Sequence, residues 1–300
     1  MNLTTWLLRI PVVLALLISA PAIQAQGAVA PTLEKIREYG AIYVGYREAA
    51  VPFSYLVGDE VTGYTKELCD RIVATVRDTL ADPTLKVVRV PVTASSRMLM
   101  LMTGVIDLEC GITTNTKIRQ QSVAFGVTTF VSGVKTVTRK DIGIERIVDL
   151  NGKVVVTTAG TTTERVVRTV LAGRNAIVHS KSARTHLESL AMVLSRQADA
   201  FVLDDAVLAG LMASSPQADK LKLLDENFGF EPYGIVLRKD DPEFKKLVDD
   251  TLVGMMKNGE LETLYNKWFM SPIPPKNINL QIPMSGMLKE LLRNPNDTGI

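Results

Sequence analysis

The 300-residue chain has few of the residues that build metal centres, and neither sign of charge is in large excess. Its two cysteines and two histidines show none of the spacings typical of zinc ligands. Lysine and arginine number 34 against 32 acidic residues, which gives a net charge of +2 without long runs of one sign. Because nucleic acids and anionic membranes attract strongly basic surfaces, this balance argues against both as the main partner. The sequence predicts no metal and no other cofactor.

Long apolar runs are also scarce, and the one near the N-terminus has the layout of a secretory leader. Arg9 precedes an apolar stretch over residues 10–20, and small residues follow it. That stretch is about half of the roughly 20 residues that a membrane-spanning helix needs. We predict that residues 1–25 are a cleaved signal peptide, with cleavage after Ala25 or Ala30, and that the mature protein lies in the periplasm. A retained N-terminal membrane anchor is the alternative.

The two cysteines, Cys69 and Cys110, would be exported into an oxidising compartment, where disulfides persist. Cys69 lies beside an apolar helical stripe, and Cys110 ends a predicted buried strand. Sequence spacing alone leaves the geometry of the pair open. We expect two buried thiols here, with a disulfide as the alternative.

Strand-like and helix-like apolar segments alternate along the chain, a pattern typical of α/β folds. We predict strands over 41–46, 86–92, 105–110, 154–158, 176–179, 198–203 and 234–238. We predict helices over 65–80, 95–102, 162–172, 183–195 and 242–257, and an irregular C-terminal tail from Ser271. The spacing of apolar residues in the last of these helices follows the helical period.

Two β-rich stretches divide these segments into two groups. Residues 128–140 interrupt the alternation after the third strand, and residues 232–237 could return the chain to the first group. Two extended crossings between two lobes would form a hinge over a central cleft. We predict a two-lobed α/β fold, in which residues 31–131 and 233–300 form the first lobe and residues 132–232 the second.

Polar side chains follow nearly every predicted strand. The segment from Glu109 to Arg119 is the clearest case, since a strand leads through a glycine into a threonine-rich turn. Hydroxyls, turn amides and a guanidinium together suit a carboxylate or another small anion. Because parallel strands end at one crevice in open α/β sheets, we expect these side chains to share a binding site. The candidate ligand-binding residues are Arg47, Arg97, Thr114, Arg119, Thr161, Thr162, His186 and Asp204.

The charges of these candidates suggest the kind of ligand. Three arginines against one aspartate leave a balance of +2 when His186 is neutral. Buried charges need partners of opposite sign, so a ligand with two carboxylates and one ammonium group fits best. A dicarboxylic amino acid meets this description, whereas a plain amino acid would leave at least one arginine unmatched.

Each candidate also has an ordinary structural interpretation. Thr161 and Glu164 fit a helix capping box, and Asp204 is a residue type favoured at helix N-termini. Arg97 and His186, taken singly, could be surface residues at the start of helices. Their shared location at one end of the predicted sheets favours the binding interpretation.

Several segments together make the chain resemble a known family. They include Val-Gly-Tyr-Arg-Glu at 44–48 and the Glu-Cys-Gly that begins residues 109–119. The others cover residues 51–55, 203–206, 237–242 and 266–277. The chain is similar over residues 32–297 to the periplasmic glutamate/aspartate-binding proteins of ABC importers, within the polar amino-acid solute-binding family.

The resemblance implies a monomeric, non-enzymatic binding protein that delivers glutamate or aspartate to the membrane permease of an ABC transporter. It implies that Arg119 and Thr114 hold the ligand α-carboxylate and that Asp204 accepts the α-ammonium group. The side-chain carboxylate would contact Arg47, Arg97 and His186, while Thr161 and Thr162 would contribute from the second lobe.

Two positions depart from the family pattern, which commonly has serine where this chain has Ala94 and Ile112. Binding of another polar amino acid is therefore one alternative. An enzyme of the same fold, such as a cyclohexadienyl dehydratase, is another, and it would need Glu109 or His186 as a general acid. A sensor domain is a third.

Overall fold

Helices and strands alternate along residues 31–300, which a computed structural model describes. The predicted signal peptide, residues 1–25, lies outside the described residues. The strands are β1 (Ala41–Tyr46), β2 (Ala49–Ala50), β3 (Ser54–Val57), β4 (Glu60–Thr62), β5 (Lys86–Pro91), β6 (Leu108–Cys110), β7 (Val123–Phe125), β8 (Phe130–Arg139), β9 (Val154–Thr158), β10 (His179–Ala183), β11 (Ala200–Asp204), β12 (Leu221–Leu223), β13 (Gly229–Tyr233) and β14 (Val236–Arg238). The α-helices are α1 (Thr32–Tyr39), α2 (Tyr64–Leu80), α3 (Arg97–Met102), α4 (Thr163–Gly173), α5 (His186–Leu194), α6 (Asp205–Ser214), α7 (Pro242–Lys257), α8 (Glu260–Phe269) and α9 (Gly286–Arg293).

The first sheet has the strand order β5-β1-β6-β14-β7. β1 runs parallel to β5 and β6, whereas β14 is antiparallel to β6 and β7. Helices α1, α2 and α3 pack against it. Tyr46 pairs with Cys110 at the carboxyl ends of β1 and β6. This register brings the residues that follow these strands, Arg47 and Gly111, next to each other.

The second sheet has the order β10-β9-β11-β8-β12, and β13 also pairs with β8. β9 runs parallel to β10 and β11, whereas β8 is antiparallel to β11, β12 and β13. Helices α4, α5 and α6 pack against this sheet. Thr158 ends β9 and Asp204 ends β11, so their carboxyl ends carry polar groups towards the first sheet. Strands β2, β3 and β4 form a separate small antiparallel sheet.

Two adjacent crossings join the two large sheets. The chain passes from β7 to β8 through residues 126–129 and returns from β13 to β14 through residues 234–235. The Gly126 amide donates to the Ile235 carbonyl at 2.8 Å, and the Thr129 amide donates to the Tyr233 carbonyl at 2.9 Å. The predicted α/β class is confirmed, and the residue bounds assigned to the two lobes stay a prediction.

Aromatic rings surround these crossings. Phe130 stacks on Phe269 with ring centroids 4.9 Å apart, and the edge of Phe53 meets Phe130 at 4.8 Å. The buried Tyr64 hydroxyl donates to the Thr129 carbonyl at 2.8 Å. Burial of large rings beneath both crossing segments anchors the hinge to helices α2 and α8.

Most of the predicted segments lie within three residues of the observed ones at each end, and two predictions differ more. The strand predicted over 176–179 lies instead at His179–Ala183, because β10 is an exposed edge strand whose polar residues pair with β9. The tail beyond Ser271 is not irregular throughout, since it contains helix α9. The Ser285 side chain caps α9 by accepting from the Leu288 amide at 3.1 Å.

The expectation of two free thiols is wrong, because Cys69 and Cys110 form a disulfide. Their Cα atoms are 6.3 Å apart, within the range that a disulfide spans. Helix α2 packs over the end of β6 and brings the two side chains together. The disulfide therefore fixes the strand end from which the threonine-rich turn departs.

Across residues 31–300, no helix is both long enough and apolar enough to cross a bilayer. Within the same residues, no three His, Cys, Asp or Glu side chains are grouped so that they could hold a metal ion.

Candidate functional site

A small cavity lies where the carboxyl ends of the two sheets face each other. Its walls are formed by Arg47, Arg97, Ile112, Thr114, Thr161, Thr162, His186 and Asp204. Seven of the eight candidate residues therefore line one cavity, and Arg119 lies beside it. Side chains from both sheets form the walls, so a ligand in this cavity would touch both.

One end of the cavity is cationic. Arg47 follows β1, Arg97 begins α3, and both side chains are buried. Among the described residues, no acceptor lies within hydrogen-bond distance of Arg47 Nη1 or Arg97 Nε. Burial and the neighbouring Arg97 lower the pKa of Arg47 to about 10, so the guanidinium stays charged at neutral pH. Two buried guanidinium groups with unused donors suit an anionic guest.

His186 is neutral and holds Arg47 in place. Arg47 Nη2 lies 3.2 Å from His186 Nε2, and since a guanidinium can only donate, Nε2 is the acceptor. The proton is then on Nδ1, which lies 3.0 Å from the Thr158 hydroxyl. Burial, Arg47 and Arg97 hold the pKa of His186 well below its usual value. The histidine thus supplies a fixed acceptor at the cationic end rather than a third positive charge.

Arg119 bridges the two halves of the site from the side. Its guanidinium donates to the Thr114 carbonyl at 2.9 Å and to the Gly160 carbonyl at 3.2 Å. Burial, followed by repulsion from Arg97, lowers the pKa of Arg119 to about 10. Because a guanidinium has five N–H donors, these two bonds leave donors for a ligand at the edge of the cavity.

Gly160 allows the two halves to approach closely. Its φ of +79° favours glycine, and a Cβ atom there would lie 2.7 Å from the Ala94 carbonyl oxygen and the Ser95 amide nitrogen. The Ser95 hydroxyl donates across the same gap to the Ala159 carbonyl at 3.1 Å. Backbone from the second sheet can therefore rest directly on the loop before α3.

The capping box predicted for Thr161 and Glu164 is wrong. The Thr161 hydroxyl donates to the Thr158 carbonyl at 2.6 Å, and the Glu164 carboxylate accepts from the Ser182 hydroxyl at 2.8 Å. Thr162 occupies the N-cap position of α4 without a side-chain capping bond. Instead, the Thr161 side chain lines the cavity, and the Glu164 side chain bonds to the neighbouring strand β10.

The other end of the cavity is acidic. Asp204 ends β11, is buried, and has one carboxyl oxygen, Oδ1, without a hydrogen-bond partner among residues 31–300. Burial and the adjacent Glu231 raise the pKa of Asp204 well above its usual value. A donor group on a ligand, above all an ammonium group, would satisfy this oxygen.

Sequence reasoning missed Glu231, which lies on β13 and is almost fully buried. Its carboxylate accepts hydrogen bonds of 2.5 Å from both the Thr114 and the Thr162 hydroxyls. In sequence it stands in Phe-Glu-Pro within a β-rich stretch, where an acid usually faces solvent. Only the pairing of β13 with β8 and the turn at Thr114 turn this side chain inwards.

The sequence-based charge balance of +2 is also wrong, because Glu231 and Glu109 bring two more buried carboxyl groups. Glu109 Oε2 accepts from the Thr113 hydroxyl at 2.6 Å, and its charge favours the charged forms of both Arg47 and Arg119. A Cβ on Gly111 would lie 2.2 Å from Glu109 Oε1, so a larger residue there would displace this carboxylate. The site therefore has separate cationic and acidic ends and is less positive than the sequence-based count.

Residues 42–271 match the bacterial extracellular solute-binding proteins, family 3. The chain belongs to this family. The match covers more than two thirds of the chain, and it includes all eight candidate residues.

The chain is similar to curated relatives over nearly its whole length. It is 40% identical to the glutamate/aspartate import solute-binding protein of Escherichia coli K12, with 96% of this chain and 97% of that protein covered. It is also 40% identical to the L-glutamate/L-aspartate-binding protein of Pseudomonas aeruginosa, with 95% and 94% covered. These relatives are named as transport proteins and not as enzymes.

Solved structures of amino-acid-binding proteins share the fold. An ancestral arginine-binding protein bound to glutamine superposes with a TM-score of 0.68 at 29% identity, over 77% of this chain and 98% of that one. An ancestral amino-acid-binding protein, described as a precursor of cyclohexadienyl dehydratase, gives 0.68 at 28% identity over 79% and 99%. The two-lobed periplasmic-binding-protein fold predicted from the sequence is confirmed.

Proposed function

We propose that this protein captures glutamate or aspartate outside the cytoplasm and delivers it to the membrane permease of an ABC transporter. The observation that carries the proposal is the polarity of the cavity, with unused arginine donors at one end and an unpaired Asp204 oxygen at the other. An acidic amino acid offers a carboxylate to the first end and an ammonium group to the second. The names of the 40% identical relatives support the same ligand class.

In the proposed binding mode, the side-chain carboxylate of the ligand lies against Arg47 and Arg97. Guanidinium groups suit this task because their planar donors match a carboxylate in a bidentate manner. His186 contributes by accepting from Arg47 and so fixing the direction of its remaining donors. Glutamine lacks the negative charge that this end requires and is expected to bind more weakly.

The backbone groups of the ligand occupy the rest of the cavity. The α-carboxylate meets Arg119 and the Thr114 hydroxyl, and the α-ammonium group meets Asp204. Thr161 and Thr162 contact the ligand from the second sheet. Since both sheets then share one ligand, binding favours the arrangement in which they are close together.

The permease would recognise this closed arrangement and accept the amino acid from it. A single chain contains all the residues of the cavity, and we therefore propose that the protein acts as a monomer. The N-terminal leader predicted over residues 1–25 would direct it to the periplasm and be removed there. Nucleic acid has no part in this function.

Titration calorimetry on the mature protein with glutamate, aspartate, glutamine and succinate tests the proposal. Glutamate and aspartate should bind, glutamine should bind more weakly because it leaves the arginines unmatched, and succinate should bind weakly because it lacks the ammonium group. Equal affinities for glutamine and glutamate would contradict the proposal of an acidic ligand.

A further inference from the structure

Glu231 connects residues from both halves of the site. Its two carboxylate oxygens accept from Thr114, which follows β6 of the first sheet, and from Thr162, which precedes α4 of the second sheet. The side chain is 1% exposed. Each carboxylate oxygen can accept more than one hydrogen bond, so both retain capacity for a further donor.

Glu231 lies next to the acidic end of the cavity, because the Thr114 and Thr162 hydroxyls that donate to it line the same cavity as Asp204. The two carboxyl groups are close enough for Glu231 to raise the pKa of Asp204, and both are buried. Asp205 and the Tyr233 hydroxyl also face Asp204, while the charges of Arg47 and Arg119 act on it from the first sheet. Asp205 is occupied elsewhere, since its Oδ1 accepts from the Ser132 hydroxyl and the Gly133 amide.

Two neighbouring carboxyl groups in a buried site do not both ionise readily, because each destabilises the charge of the other. Glu231 has two hydroxyl donors that stabilise a carboxylate, whereas Asp204 has the one nearby hydroxyl of Tyr233, and its Oδ1 has no donor among residues 31–300. Asp204 is therefore the group that takes up a proton. The O–H of protonated Asp204 can donate a hydrogen bond to the Glu231 carboxylate.

We infer that Glu231 is a ligand-binding residue, which together with Asp204 holds one proton that the ammonium group of the ligand displaces. This inference rests on the proposed function, because it needs a ligand that carries an ammonium group. The O–H bond of Asp204 breaks, the proton passes to the solvent buffer, and the N–H donors of the ammonium group take its place between the two carboxylates.

The consequence is that binding of the amino acid releases a proton. At neutral pH an acidic amino acid with a net charge of −1 enters, and about one proton leaves. Affinity should therefore rise with pH, by at most about tenfold per pH unit, until Asp204 is already ionised before binding. Above that pH the affinity becomes constant, and no proton is released.

At the cationic end, ligand binding should take up a proton rather than release one. A ligand carboxylate beside Arg47 and Arg97 would raise the proton affinity of His186, so any change there would take up a proton. Because the low pKa of His186 comes from burial, Arg47 and Arg97, which a Glu231 variant keeps, we expect the same uptake at His186 in both proteins. The difference between wild type and a Glu231 variant therefore reports on the carboxyl pair alone.

The experiment is calorimetric titration of glutamate at neutral pH in several buffers that differ in ionisation enthalpy. The slope of the observed enthalpy against buffer ionisation enthalpy counts the protons released. We expect wild type to release about one proton. Glu231→Gln, which keeps the shape and an acceptor oxygen but removes the charge next to Asp204, should release fewer protons than wild type, while burial still raises the pKa of Asp204. Glu243→Gln, at an exposed position on α7, is the matched control and should behave as wild type.

The outcomes separate this inference from the proposed function. Glutamate binding by wild type without proton release would overturn the inference and leave the proposed function standing. Unchanged proton release in a folded Glu231→Gln variant would overturn it as well. If neither glutamate nor aspartate binds to wild type, the proposed function itself fails, and the inference fails with it. The wild-type proton count can overturn the inference by itself. The test therefore stays decisive even if Glu231→Gln does not fold.

Discussion

Each end of the cavity holds neighbouring groups of like charge, and the two ends differ in how those groups ionise. At the cationic end, Arg47 and Arg97 repel each other, yet a pKa of about 10 for Arg47 keeps it charged at neutral pH. At the acidic end, Asp204 has a raised pKa beside Glu231 and can take up a proton. The arginine end therefore requires an anion from the ligand, whereas the carboxylate end can exchange a proton for a cation.

This difference assigns separate tasks to the two ends. The carboxylate end recognises the ammonium group that all α-amino acids share. The arginine end distinguishes an acidic side chain from a neutral one. Changes at the first end should affect every amino-acid ligand, and changes at the second should affect the preference among ligands.

The largest effect is expected at the acidic end. Asp204→Ala removes the main partner of the ammonium group and leaves Glu231, which already accepts from Thr114 and Thr162, as the remaining carboxylate near that charge. We expect a loss of affinity for glutamate of about 1,000-fold, or about 4 kcal/mol, measured by calorimetry. Asp219→Ala, at an exposed position after α6, is the control and should bind as wild type. Normal glutamate binding by Asp204→Ala would show that the proposed binding mode is wrong.

A change away from both ends should affect folding and leave recognition intact. Removing the disulfide with Cys69→Ala and Cys110→Ala opens a covalent loop with a sequence separation of 41 residues. We expect the free energy of unfolding to fall by about 3 kcal/mol in denaturant titrations. The ratio of glutamate to glutamine affinity should stay the same, because neither cysteine lines the cavity. A changed ratio would mean that the disulfide shapes the site directly.

At the cationic end, Arg97→Met should weaken glutamate binding by about 30-fold, or about 2 kcal/mol. Glutamine binding should change much less, so the preference for glutamate should largely disappear. Because Arg97 lowers the pKa of both Arg47 and Arg119, its removal also relieves repulsion. The melting temperature of the ligand-free protein should accordingly not fall. Retention of the glutamate preference would place the acidic side chain elsewhere.

The smallest effect is expected at Ile112, which lines the cavity where the family commonly has serine. Ile112→Ser adds a hydroxyl that can bind the ligand, and we expect affinity for glutamate to rise by less than about tenfold. Ala94→Ser introduces the serine that the family commonly has at position 94, but Ala94 does not line the cavity. It should change affinity less than Ile112→Ser does. A loss of affinity in Ile112→Ser would show that the apolar wall itself is needed.

The parts of the fold that sequence reasoning found are those with a strong local pattern. β1, β9 and α7 have the predicted bounds, because apolar residues at a clear period define them. β10 was misplaced, since four of its five residues are exposed and only its pairing with β9 makes it a strand. Local patterns cannot report a strand whose stability comes from its neighbour.

The difference between local patterns and long-range contacts also explains which site residues could be predicted. Arg47 and Asp204 directly follow or end strands, and parallel strand ends meet at one crevice, so their positions could be predicted. Glu231 and the disulfide could not, because both depend on contacts between segments far apart in sequence. The Thr114 contact of Glu231 spans 117 residues, and the disulfide spans 41. Omission of Glu231 and Glu109 from the count is also why the predicted charge balance failed.

The most direct test of a polarised cavity is a crystal structure of the protein with bound glutamate. Our account predicts the side-chain carboxylate within about 3 Å of the guanidinium groups of Arg47 and Arg97. It predicts the ammonium group between the carboxyl groups of Asp204 and Glu231. A glutamate bound in the reverse direction, or with its ammonium group away from both carboxyl groups, would contradict the account.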